Sequence, residues 1–67
     1  MRTEIYTNSN GQHLQVVFDD LQGEVIDSVD HSVFYGIKGY GADGAEYSAT
    51  SEFCCGEFEA ITDIEPM

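Results

Sequence analysis

The sequence predicts an all-β fold, a small antiparallel meander of five to six strands coiled into a half-open barrel or packed as a dimer. Three observations carry that expectation. Apolar and polar residues alternate at a period of two along most of the chain, and the alternating runs are rich in Val, Ile, Tyr and Phe. Turn-forming pairs, Asn10-Gly11, Asp43-Gly44 and Cys55-Gly56, fall between those runs. The competing reading is α+β, with a helix across residues 20 to 31 covering one face.

Arg2 to Thr7 reads as the first strand and Gln12 to Asp19 as its partner. A two-residue type I′ turn at Asn10-Gly11 pairs Thr3 with Phe18, Ile5 with Val16 and Thr7 with Leu14, and sets Arg2 opposite Asp19 as a surface ion pair. Asp20 to Gly23 is a turn cluster. Glu24 to Val29 fits a strand, because the β-branched Val25, Ile26 and Val29 lose rotamer freedom in a helix. A loop of Leu21, Gln22 and Gly23 then sets Phe18 against Ile26. The helical alternative gathers Leu21, Val25 and Val29 on one stripe behind an N-cap at Asp19 or Asp20.

The central hairpin fixes its own register. A two-residue turn at Asp43-Gly44 throws Tyr47 and Phe53 onto the face opposite Val33 and Ile37. A three-residue loop of Ala42, Asp43 and Gly44, with Gly44 left-handed, pairs Ile37 with Ala49 and Val33 with Phe53 and keeps the apolar set together. Beyond it, a tight turn at Cys55-Gly56 pairs Phe53 with Phe58, Ser51 with Ala60, Ala49 with Thr62 and Tyr47 with Ile64. Gly36, Gly39 and Gly41 interrupt the strand before the central loop, as where a strand bends or another group approaches closely. The predicted core is Ile5, Leu14, Val16, Phe18 and Ile26, with Val33, Ile37, Phe53, Phe58 and Ile64.

One domain is the expected count for 67 residues. A chain this short buries only about 60% of the surface that its unfolded form exposes, so its core is thin. Thirteen Asp and Glu against Arg2 and Lys38 give a formal charge of -11. That balance argues against direct binding to nucleic acid or an anionic membrane and for a basic partner. No apolar run reaches the roughly 20 residues of a membrane span, and no signal-peptide pattern opens the chain, so the expected location is cytoplasmic. The adjacent Cys54 and Cys55 cannot form long-loop staples and fit a reducing compartment.

The candidate partner-binding residues are acidic. On the predicted last strand Glu57, Glu59, Ile61, Asp63 and Glu65 share the outer face, with Glu52 opposite Glu59 and Glu46 opposite Glu65. Like charges placed opposite each other destabilise a sheet, so such a face points to a role other than folding. Alternate strand positions lie about 6.8 Å apart, near two steps of the roughly 3.4 Å axial rise between phosphates on one DNA strand. Tyr6 and Tyr40 fall on the faces opposite their apolar neighbours, where amphipathic rings serve as interface anchors.

Other chemistries find less support. Asp19, Asp20, Glu24, Asp27 and Asp30 do not match the spacing of a calcium loop. His13, His31, Cys54 and Cys55 have the residue types for zinc, but adjacent cysteines on a strand project to opposite faces. A nucleophilic thiol needs electropositive surroundings, and this chain supplies the reverse. No catalytic residue, cofactor site or metal site is expected, and the protein is not expected to be an enzyme. The functional expectation is an inhibitor occupying the basic groove of a nucleic-acid-binding protein, in the manner of small phage proteins that mimic DNA to block defence or transcription machinery. The alternatives are a self-associating interaction module, such as a homodimer, whose acidity only confers solubility, and a binder of divalent cations.

Overall fold

Alternation of apolar and polar residues draws the chain into six strands in the computed structural model, which describes residues 1–67. They are β1 (Arg2–Thr7), β2 (His13–Phe18), β3 (Glu24–Val29), β4 (Ser32–Gly41), β5 (Glu46–Cys54) and β6 (Glu57–Pro66), all antiparallel and with no helix. Residues 20 to 31 therefore contribute a strand, and the helical alternative is excluded. The order across the sheet is β1-β2-β4-β5-β6. β3 pairs with the first half of β4 and β2 with its last three residues, so β4 is the spine to which both attach. The expected contact of Phe18 with Ile26 across a β2–β3 hairpin does not form. β1 and β6 approach each other across the remaining seam, and the sheet is nearly closed into a barrel.

The central loop takes the three-residue form. Gly44 has φ 83°, its N–H donates to Gly41 O at 2.9 Å, and Asp43 Oδ1 accepts the Ala45 N–H at 3.0 Å. Ile37 faces Ala49 and Val33 faces Phe53, as the shared apolar face requires.

The first hairpin uses the same loop rather than a type I′ turn. Gly11 N–H donates to Asn8 O and Asn8 N–H to Gln12 O, both at 3.0 Å, with Gly11 left-handed at φ 80°. The Asn8 side chain makes this geometry: its Oδ1 accepts the N–H groups of Asn10 and Gln12 at 2.9 Å each. One extra loop residue shifts the register by one, pairing Tyr6 with Leu14, Glu4 with Val16 and Arg2 with Phe18. Every β1 side chain accordingly changes face. Tyr6 turns inward, its ring 5.3 Å from that of Tyr47, while Ile5 turns outward and is 52% exposed. Ile26 also leaves the predicted core, at 58% exposure, because all six residues of β3 are exposed.

The interior is small. Val16, Phe18, Ile37, Tyr47 and Ala49 are buried, with Tyr6, Leu14, Tyr35, Ile61 and Ile64 packed against them. Phe18 is fully buried and lies over Gly39, where an added Cβ would come within 2.5 Å of two ring carbons. The absent side chain is what lets β2 lie against β4.

Arg2 closes the seam. The register shift turns it toward the seam, where it stays 43% exposed while its guanidinium carbon sits 3.3 Å from the centroid of the Phe58 ring on β6 and its Nε donates to Asp20 Oδ2 at 3.0 Å. The expected surface pair with Asp19 is thus a pair with Asp20, whose side chain is only 7% exposed.

Three outcomes test this packing. Arg2→Met should lower the unfolding free energy by about 1 to 3 kcal/mol in urea titration, because it strands a buried carboxylate. Arg2→Lys should recover only part of that loss, since an ammonium lacks the planar face that stacks on Phe58. Gly39→Ala should cost about 1 to 3 kcal/mol by overpacking, read from the same titration.

Candidate protein-binding surface

Charge decides which side of β6 meets water, and two irregularities in its pairing with β5 let the strand obey. Phe53 pairs with Phe58 across the tight turn at Cys55-Gly56, as expected. The register then shifts between Glu52 and Phe53, and again between Ser48 and Thr50. The extra residues fall at Glu59 and beside Asp63, which adopts a left-handed φ of 53°. Bulges of this kind leave the inserted residue unpaired and bend the strand. Ile61, expected on the outer face, is brought inward against the core, and Ile64 stays inward as well. Glu57, Glu59, Asp63 and Glu65 all remain exposed.

The shifts also remove the expected like-charge pairs. Glu52 stands opposite Ala60 rather than Glu59, and Glu65 stands opposite Ser48 rather than Glu46. The strand is bent at both bulges, so a uniform spacing of carboxylates along it is lost. What remains is a strand whose four acidic side chains are exposed and none of which is in an ion pair, since the single ion pair of the molecule is Arg2 with Asp20.

The other candidate residues lie on β1, β4 and β5. Glu46 is exposed at the start of β5 opposite Tyr40, and Glu52 is half-buried between Phe34 and Ala60. Tyr40 is 55% exposed and pairs with Val17, itself 38% exposed, so an apolar spot adjoins Glu46 on the outer surface. Tyr6 cannot serve as an outward anchor, because the register of the first hairpin commits its ring to the interior.

Sequence reasoning missed the surface of β3. Glu24, Asp27 and Asp30 accompany Val25, Ile26 and Val29 there, all exposed. The signal was the regular three-residue spacing of the acids, which no buried strand tolerates. In all, nine of the thirteen acidic residues are exposed, four of them on β6 and the others on β3, at the start of β5 and in the turns.

Two clefts indent the surface. The larger, about 470 Å³, has Asp19, Glu24, Lys38, Tyr40 and Ser48 on its walls. The smaller, about 330 Å³, lies between the ends of β1 and β2 and the central loop, and is lined by Tyr6, His13, Leu14, Asp43 and Tyr47. The Thr7 hydroxyl lies 2.9 Å from Nδ1 of His13 at the smaller cleft, and no three His, Cys, Asp or Glu side chains converge on a point that a metal ion would occupy. No helix is long and apolar enough to cross a membrane. No family model matches this sequence, and no curated protein or solved structure matches it either.

Burial pushes the Tyr47 phenol above its ordinary value of 10.0, with the negative charge of Asp43 and then the neighbouring Tyr6 adding to the effect. The unfolded chain releases this proton near pH 10, whereas the folded chain holds it. The contribution to stability is therefore intact below about pH 10 and is lost as the pH rises through the folded-state value. An alkaline titration followed by tyrosinate absorbance should show a late-titrating phenol that disappears in Tyr47→Phe and titrates earlier in Asp43→Asn.

Proposed function

We propose that this protein is a non-enzymatic acidic binding protein that engages the basic groove of a nucleic-acid-binding protein by presenting negative charge in place of nucleic acid. The observation that carries this reading is the β6 surface, where Glu57, Glu59, Asp63 and Glu65 are exposed and unpaired in a chain of formal charge -11. Charge at that density is costly to a 67-residue body through self-repulsion, and a cationic partner relieves it. The bent strand fits a mimic of potential rather than a replica of phosphate spacing, and the 37 Å long axis of the molecule spans about one turn of duplex DNA. Glu46 and Tyr40 extend the surface beyond β6, Tyr40 as an aromatic anchor at its rim. The place of action is the cytoplasm, where defence and transcription machinery of this kind works.

A second reading is favoured by one observation. The exposed Val25, Ile26 and Val29 on β3 offer an apolar edge to another copy of the chain, and the protein would then be a self-associating module whose acidity only keeps it soluble.

Affinity capture from host lysate at low and high salt, with mass spectrometry of the eluate, separates the two. The inhibitor reading expects a basic nucleic-acid-binding protein that is retained at low salt and released by high salt or by competing duplex DNA. It is overturned if the captured protein stays bound when duplex DNA is added. Replacing Glu57, Glu59 and Glu65 with Gln and Asp63 with Asn should abolish that capture while leaving the melting temperature unchanged or higher. The self-association reading expects capture to survive these changes and a concentration-dependent dimer in sedimentation.

A further inference from the structure

The turn between β5 and β6 places two thiols side by side. Cys54 ends β5 opposite Glu57, and Cys55 and Gly56 form the turn with left-handed φ angles of 55° and 84°. That conformation turns the Cys55 side chain back, so the Sγ atoms of Cys54 and Cys55 lie 3.6 Å apart instead of on opposite faces as the sequence pattern implied. Asn, Asp and Gly are the residues that suit the first position of such a turn. A cysteine there is strained, and local folding preference does not account for it. Cys55 is exposed and Cys54 half-buried, and both are free. The Cys55 N–H donates to His31 O at 3.1 Å, which ties this turn to the neighbouring β3–β4 turn and holds the thiols in place. With no third ligand nearby, the pair does not make a metal site.

We propose that Cys54 and Cys55 form a reversible oxidation site, closed to a vicinal disulfide by a low-molecular-weight disulfide of the glutathione class. The thiolate of one cysteine attacks a sulfur of the oxidant, breaking its S–S bond, releasing one small thiol and leaving a mixed disulfide on the protein. The second cysteine attacks the protein-side sulfur, forming the Cys54–Cys55 bond and releasing the second small thiol. Two electrons pass to the oxidant, and the two thiol protons of the protein end on its two released thiols. The Cα atoms of adjacent residues are about 3.8 Å apart across a trans peptide, short of the roughly 4.4 to 6.8 Å of an ordinary disulfide. The ring is therefore strained and easily reduced, which suits a labile bond rather than a structural one. The Cys55 thiol is pushed above its ordinary value by its hydrogen bond with Cys54, then by the charge of Cys54, burial and Glu59, so closure is slow near neutral pH and quickens as the pH rises. The inference is independent of the partner proposed above.

The test equilibrates the folded protein in mixtures of oxidised and reduced glutathione and measures intact mass after thiol blocking. Expected is a monomer lighter by two hydrogens, with both thiols lost to alkylation together and both restored by dithiothreitol. A stable glutathione adduct on the wild-type chain, disulfide-linked dimers, or two thiols still alkylatable at the most oxidising ratio would each overturn the proposal. Cys55→Asn suits the left-handed position and keeps the turn, and it should accumulate the Cys54 mixed disulfide at least about tenfold over the wild type, where the neighbouring thiol removes it. Equal accumulation in the two proteins is the contrary result.

Discussion

The guanidinium of Arg2 is the one cationic group paired with a buried carboxylate in this fold, and it sits half-exposed at the seam between the first strand and the last. Its plane covers Phe58 on β6 and its Nε reaches Asp20 in the turn after β2, so a single side chain joins the first strand, the last strand and the turn between β2 and β3. Such a contact is worth more here than on an ordinary surface, because Asp20 is buried and has no other cation to answer it. The arrangement depends on the first hairpin. Only with the three-residue loop capped by Asn8 does Arg2 lie on the face that meets Phe58 and Asp20.

The remainder of the barrel follows from the scarcity of apolar material. Five buried hydrophobic side chains leave little room for error, and they share the interior with Ser51, whose Oγ is fully buried without a hydrogen-bond partner. The two bulges of β6 serve this economy twice. They turn Ile61 inward to thicken the core, and they add local twist that carries β6 toward β1. Because the inserted residues fall at Glu59 and beside Asp63, the same distortions keep carboxylates in water on a strand that lies at the edge of the sheet, where charge and irregularity discourage pairing with another chain.

The all-β class and the central hairpin were legible in the sequence, because only one loop length places Val33, Ile37, Ala49 and Phe53 on a common face. The register of the first hairpin was not legible from Asn10-Gly11, since that dipeptide serves a type I′ turn and a three-residue loop equally well. The deciding group was the Asn8 side chain, whose capping role depends on geometry rather than pattern. Tyr6 and Ile5 exchanged faces as a result. On β6 the alternation of acidic and apolar residues was regular enough to conceal both bulges, so the exposure of the four carboxylates could be read but their cross-strand partners could not. Burial of an unpaired charge is penalised residue by residue, whereas register is decided by the whole ladder. The exposure of β3 was hidden for a related reason: Val25, Ile26 and Val29 look like core residues until the topology leaves them no layer to pack against.

So small an interior has a thermodynamic corollary. Unfolding this chain wets little oily surface, and it is that wetting which raises the heat capacity of an unfolded protein. The stability curve is accordingly shallow and broad, with a small enthalpy at its midpoint, and calorimetry would record a low, wide endotherm in place of a sharp peak.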